Sequence, residues 1–214
     1  MVRVVGVFGL MALLDVLKGL GVKGRPVTHF AYGANLDPAV MERRRIPVRS
    51  RRAAELEGFR LTFESAAPHQ GAGFASVTEA AGERVLGAIL EIDRIDALRL
   101  HCFEQHYVLR KHVLGWRGDA FYYRARRPWA GLVPTRPYRD KIVRGLEGLG
   151  LGQAPETQAL RALHPLDDPT RRWDLHLVVD RYDALGPAAR PVLRAYDQAA
   201  CWVYYRAWGV MHGD

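Results

Sequence analysis

The sequence is poor in cysteine, in lysine and in long apolar runs. Its two cysteines, Cys102 and Cys201, stand far apart and form no CxxC pair. That excludes a disulfide framework and a cysteine-built zinc site, and both thiols read as reduced and mostly buried. Four lysines (Lys18, Lys23, Lys111, Lys141) contribute to the 31 basic residues, so arginine carries almost all the positive side of a net charge of +8. The arginines gather at 43–45, 49–52 and 124–127, broken by apolar residues and outside any nucleic-acid motif. The expectation is a solvated basic face with no nucleic-acid partner.

Residues 4–14 are apolar and follow Arg3, but Asp15 and Lys18 interrupt them before they could span a bilayer, and no small-x-small cleavage site follows. Leu10, Leu13, Leu14, Leu17 and Leu20 fall at helical spacing. They predict an amphipathic helix docked on the protein or on a partner, with contact of residues 1–20 to a membrane surface as the lesser alternative. Repeats and low-complexity segments are absent. With 214 residues, 49% apolar and 25% charged, the chain reads as a cytoplasmic globular protein of one domain with additions at its ends.

Turn residues divide the rest. Residues 27–32 (VTHFAY) read as a strand ended by Gly33, and Asp37-Pro38 supplies an N-cap and first-turn proline for a short helix over 39–45. Strands are predicted at 53–64, 73–78 and 84–92, a helix at 94–103 behind Asp93, and strands at 107–114 and 119–125. Pro137 opens a helix carrying Tyr138, Ile142 and Leu146 that Gly148 or Gly150 would end, and 155–163 is helical again. The tail holds an apolar run at 175–179 and an amphipathic stretch at 187–210 rich in Tyr and Trp. Strands, one inserted helix, then more helices indicate an α+β fold with a curved, barrel-like sheet.

Two features carry possible chemistry. Tyr32-Gly33-Ala34-Asn35-Leu36 is a tight strand-to-helix turn whose backbone N–H groups, with the helix dipole, suit a carboxylate or an oxyanion. Gly and Asn also occupy such turns for backbone reasons alone. The second is Glu104, behind the apolar face of the predicted helix and bordered by Phe103 and Tyr107. Desolvation there would raise its pKa towards a range useful for proton transfer, and a solvated helix-end acid is the plain alternative. His101, Glu104 and His106 do not share a helical face, so no metal site is expected.

The order of the segments resembles the γ-glutamylcyclotransferase family over residues 27–150. Phe30-Ala31-Tyr32-Gly33-Ala34-Asn35-Leu36 resembles its FAYGSNL signature, Gly73-Phe74-Ala75-Ser76-Val77 its next strand, and the stretch from Gly82-Glu83 to Leu90 its GE-x-V-x-G strand. The helix ending before Glu104, the strand opening at Tyr107, and Pro134-Thr135-Arg136-Pro137-Tyr138 are similar to its later segments. Ala34 stands where the family usually has serine, and Gln105 replaces a common glycine.

The resemblance implies a small curved mixed β-barrel with flanking helices at 25–150, between helical extensions at 1–24 and 151–214. It implies an enzyme that cyclises a γ-glutamyl substrate and releases 5-oxoproline, with Glu104 as acid/base. Substrate contacts fall to Tyr32, Gly33, Ala34, Asn35, Leu36, Tyr138 and Tyr107, and no cofactor or metal is required. The rival reading is a non-catalytic binding module on the same scaffold, its terminal helices recruiting a protein partner or a membrane surface. Trp202, Tyr204, Tyr205 and Trp208 motivate that rival.

Overall fold

Strand-like alternation gives way to helical spacing after Asp93, and the chain follows that change in a computed structural model describing residues 2–67, 71–104, 112–126 and 128–168. Helix α1 (Val2–Gly19) leads into β1 (Pro26–Ala31), a 3₁₀ turn (Ala34–Leu36) and α2 (Pro38–Arg43). The long strands β2 (Val48–Ala67) and β3 (Ala72–Asp93) precede α3 (Arg94–Glu104). Strands β4 (His112–Arg117) and β5 (Ala120–Ala125) and helices α4 (Arg136–Glu147) and α5 (Pro155–Ala162) complete the described elements. The tail stretches at 175–179 and 187–210 lie outside the described residues, as do Tyr107, Gln105, His106 and Cys201.

The five strands form one mixed sheet in the order β2-β3-β1-β5-β4, antiparallel throughout except for the parallel pair β1 and β5. The architecture is α+β as expected, and among the described residues the sheet curves without closing, with β2 and β4 as its edges. The two strands expected at 73–78 and 84–92 are one strand of 22 residues. The polar stretch between them is a bulge rather than a turn. Pairing passes from Glu57 opposite Arg84 to Phe59 opposite Glu79, with Gly58 and Gly82 at φ values of 78° and 80°. Only glycine enters that backbone region cheaply, and such bulges bend a strand and sharpen its twist.

The core lies between the sheet and helices α3 and α4. Phe30, Leu56, Leu90 and Ile92 meet Leu100 and Phe103 from α3 and Ile142 and Leu146 from α4. Helix α1 inserts Met11 and Leu14, while Leu13 and Leu20 of the predicted apolar face remain exposed. The docked face is rotated from the hydrophobic stripe because Asp15 and Lys18 pair with Arg99 and Asp96 of α3, which fixes the helix about its axis. Among the described residues no helix is long and apolar enough to cross a membrane.

Helix α4 sets the height of the 3₁₀ turn. A Cβ on Gly145 would lie 2.3 Å from Leu36 Cβ and 2.8 Å from Leu36 O, so only glycine lets the helix approach this closely. Arg51 staples the contact by donating from one Nη to the carbonyls of Leu36 and Gly145, each at 2.6 Å. Gly145→Ala is therefore expected to destabilise the fold by about 2 kcal/mol, the cost of overpacking a close contact. Gly9→Ala in α1, where a Cβ meets nothing within 4 Å, is expected to stabilise by about 0.5 kcal/mol through helix propensity. Paired thermal unfolding of the two variants checks both signs.

Candidate active site

Helix α3 ends at Glu104, and an acid there opposes the negative end of the helix dipole. Its charge is met from outside the helix. Arg44, just past α2, places Nη1 2.5 Å from Glu104 Oε1 and 2.6 Å from Asn35 Oδ1. Asn35 in turn donates from Nδ2 to Glu104 Oε1 at 3.1 Å. Both side chains of the ion pair are 19% exposed, so the pair is partly desolvated yet open on one side. The guanidinium also lies 4.8 Å from the centre of the Phe103 ring, a cation–π contact that orients it further.

The two sequence features thus meet: the turn after β1 supplies Asn35 and the end of α3 supplies Glu104. Arg44 departs from the solvated face expected of 43–45, since its guanidinium pairs with the half-buried Glu104. Its signal was weak, since three consecutive arginines do not reveal which one turns inward. Asp37 does cap α2 as expected, accepting from Ala39 N at 3.0 Å, with Pro38 in the first turn.

The remaining turn residues have separate positions. Gly33 adopts φ −106°, outside the left-handed region, so close approach rather than a left-handed bend favours glycine there. A Cβ would stand 3.2 Å from both Ala75 Cβ and Tyr138 Oη. The Tyr32 ring is buried, and its hydroxyl donates to Tyr123 O. Leu36 is fully buried, and its N–H closes the 3₁₀ turn onto Gly33 O. Tyr138 reaches over from α4, where its hydroxyl accepts from Ala75 N at 3.1 Å and from the Ala34 backbone. Burial holds that phenol above its ordinary pKa. A cavity of about 670 Å³ reaches Asn35 and Leu36 from α2 and the start of β2, and Glu104 is not in its lining. Among the described residues no cluster of His, Cys, Asp and Glu is placed to hold a metal ion.

Beneath Asn35 lies a second polar layer that the sequence did not announce. His29 is buried on β1, with Nδ1 3.1 Å from Phe121 O and Nε2 3.4 Å from Asn35 Nδ2. These partners suit a neutral ring with its proton on Nδ1, leaving Nε2 to accept from the amide. The Tyr123 hydroxyl sits 2.5 Å from His101 Nδ1. Burial lowers the His101 pKa and drives that of His29 down to about 4, outweighing the pull of nearby Glu104. The unfolded chain therefore binds a proton at His29 near pH 6.5 that the folded protein refuses until about pH 4. Stability from this group is complete above pH 6.5 and falls by about 3 kcal/mol as pH drops from 6.5 to 4. Urea unfolding at pH 7, 5.5 and 4 should show a steeper acid loss in wild type than in His29→Gln.

No protein-family model matches the chain, and no curated protein matches it. Solved structures do. A γ-glutamyl cyclotransferase superimposes with a TM-score of 0.58 at 19% identity, covering 72% of this chain and 96% of that one. Uncharacterized protein loc79017 from Homo sapiens gives a TM-score of 0.55 at 19% identity, covering 71% and 96%. YkqA from Bacillus subtilis gives 0.51 at 23% identity, over 68% of this chain and 56% of its own. By its open mixed sheet, its flanking helices and these likenesses, the chain has the γ-glutamylcyclotransferase fold.

Proposed function

We propose that the protein cyclises a γ-glutamyl compound, releasing 5-oxoproline and an amine or amino acid, with Glu104 as the single acid/base. The observation that carries this reading is the Asn35–Arg44–Glu104 constellation. It holds a partly desolvated carboxylate against a backbone turn suited to an anion. In the reaction the substrate's α-amine nitrogen attacks its own γ-carbonyl carbon. One C–N bond forms within the ring and the C–N bond to the leaving group breaks. The attacking nitrogen loses a proton and the departing nitrogen gains one, so one carboxylate can take the first and return it. Holding the substrate curled supplies much of the remaining rate.

Donors for the substrate's α-carboxylate, or for the developing oxyanion, would be the backbone N–H groups of Gly33 and Asn35. Those of Ala34 and Leu36 are already directed to Tyr138 and Gly33. The Ala34 side chain adds no hydroxyl to this cradle. Tyr138 shapes it indirectly, by anchoring the turn to the Ala75 strand. Tyr107 is assigned a pocket-lining hydrogen-bond role by the family resemblance alone.

The test is 5-oxoproline release from γ-glutamyl amino acids, γ-glutamyl amines and glutathione, with wild type beside Glu104→Gln. Turnover by wild type and a loss of at least about 10²-fold in the variant are expected, the scale of a removed general acid/base. Normal turnover by Glu104→Gln, or silence of folded wild type across the panel, overturns the reading. Tyr138→Phe removes the acceptor of the Ala75 N–H and is expected to cost about 1–2 kcal/mol. It should also lower kcat/KM, and chemical unfolding beside steady-state kinetics reads the two effects separately.

A further inference from the structure

Helix α1 precedes the segments that resemble the cyclotransferases, yet it touches the machinery that holds Glu104. Two ion pairs join it to α3: Asp15 with Arg99, and Lys18 with the buried Asp96 at 2.5 Å. Each cation has a second bond, and both second bonds go to one place. Arg99 Nε donates to the Arg44 carbonyl at 2.7 Å, and Lys18 Nζ donates to the Arg45 carbonyl at 3.2 Å. Those carbonyls lie at the C-terminal end of α2, where a helix leaves acceptors without partners and welcomes positive charge.

That end of α2 is also where the backbone is least ordinary. Arg45 has φ 56°, the left-handed conformation usually given to glycine after a helix. Arg45 N donates to Glu42 O at 2.8 Å and Ile46 N to Met41 O at 3.0 Å, closing the terminus and burying Ile46. The same turn aims the Arg44 side chain at Glu104 and Asn35. Arg99 itself is 4% exposed, and Asp15 is its ion-pair partner from α1.

We infer that α1 is a working part of the site: Asp15 and Lys18 are positioning residues that clamp the end of α2 and so hold Arg44 on Glu104. Lys18 acts on the Arg45 carbonyl, and Asp15 acts through Arg99 on the Arg44 carbonyl while also pairing with the Arg45 guanidinium at 3.6 Å. The positioning stands on the geometry alone, and only its effect on turnover rests on the cyclisation proposed above. Loss of the clamp lets the Arg44 guanidinium leave the carboxylate while the sheet and core persist.

The test uses the full chain labelled with ¹⁵N. The Arg44 guanidinium signals, identified by their loss in Arg44→Lys, are expected to be separately resolved in wild type because ion pairing slows rotation of the group. In the double variant Asp15→Asn/Lys18→Met they are expected to merge. Arg84→Gln, which removes the exposed pairs to Glu55 and Glu156, should leave them resolved. Resolved Arg44 signals in a folded double variant overturn the proposal. If the double variant does not fold, Lys18→Met alone, which leaves Arg99 paired, is read by the same criterion. Where wild type turns over, the variant should lose about tenfold in kcat with little change in KM, the scale of a modest misplacement. An unchanged kcat overturns the effect on turnover, while the positioning is decided by the guanidinium signals. A silent wild type sinks the cyclisation and leaves the guanidinium test standing.

Discussion

A carboxylate withdrawn from water needs a counter-charge and hydrogen bonds, and the pairing of Glu104 with Arg44 and Asn35 supplies both. Much of the molecule is arranged to let those three groups meet. Residue 35 follows the first strand, residue 44 follows the short helix, and residue 104 ends the helix after the longest hairpin. Partial burial of such a pair helps only when each partner is held in place, because an unpaired charge in the same surroundings is expensive. The surrounding hydrogen bonds can be understood as the devices that hold them.

These devices come from four directions. Arg51 and Gly145 fix the height of the turn against α4, and Tyr138 ties its start to β3. His29, kept neutral by burial, underlies the Asn35 amide and is itself held by Phe121 of the parallel strand β5. Arg99 and Lys18 hold the end of α2 from the far side. The site is therefore a junction of the sheet with helices α1 to α4, and no single segment of the chain builds it.

Part of this was legible in the residues. Asp37-Pro38 marked the start of α2 because capping is local chemistry, and the Gly148 end of α4 was visible for the same reason. The α+β class followed from the order of periodic segments. Residues 79–83 misled because glutamate, alanine and glycine there look like a turn, while the pairing strand carries them through as a bulge. The face of α1 misled for a related reason: Leu13 and Leu20 fit the hydrophobic spacing, but the ion pairs of Asp15 and Lys18 chose another orientation.

What the sequence by itself determined was therefore local: caps, glycine punctuation, helical and strand periods, and the two short segments around Asn35 and Glu104. Only the tertiary structure decided which arginine of 43–45 faces inward, that His29 lies beneath Asn35, and that α1 grips the end of α2. The physical reason is range. Capping and periodicity act over a few residues of chain, whereas an ion pair such as Arg44 with Glu104, 60 residues apart, exists only where the packed core brings its partners together.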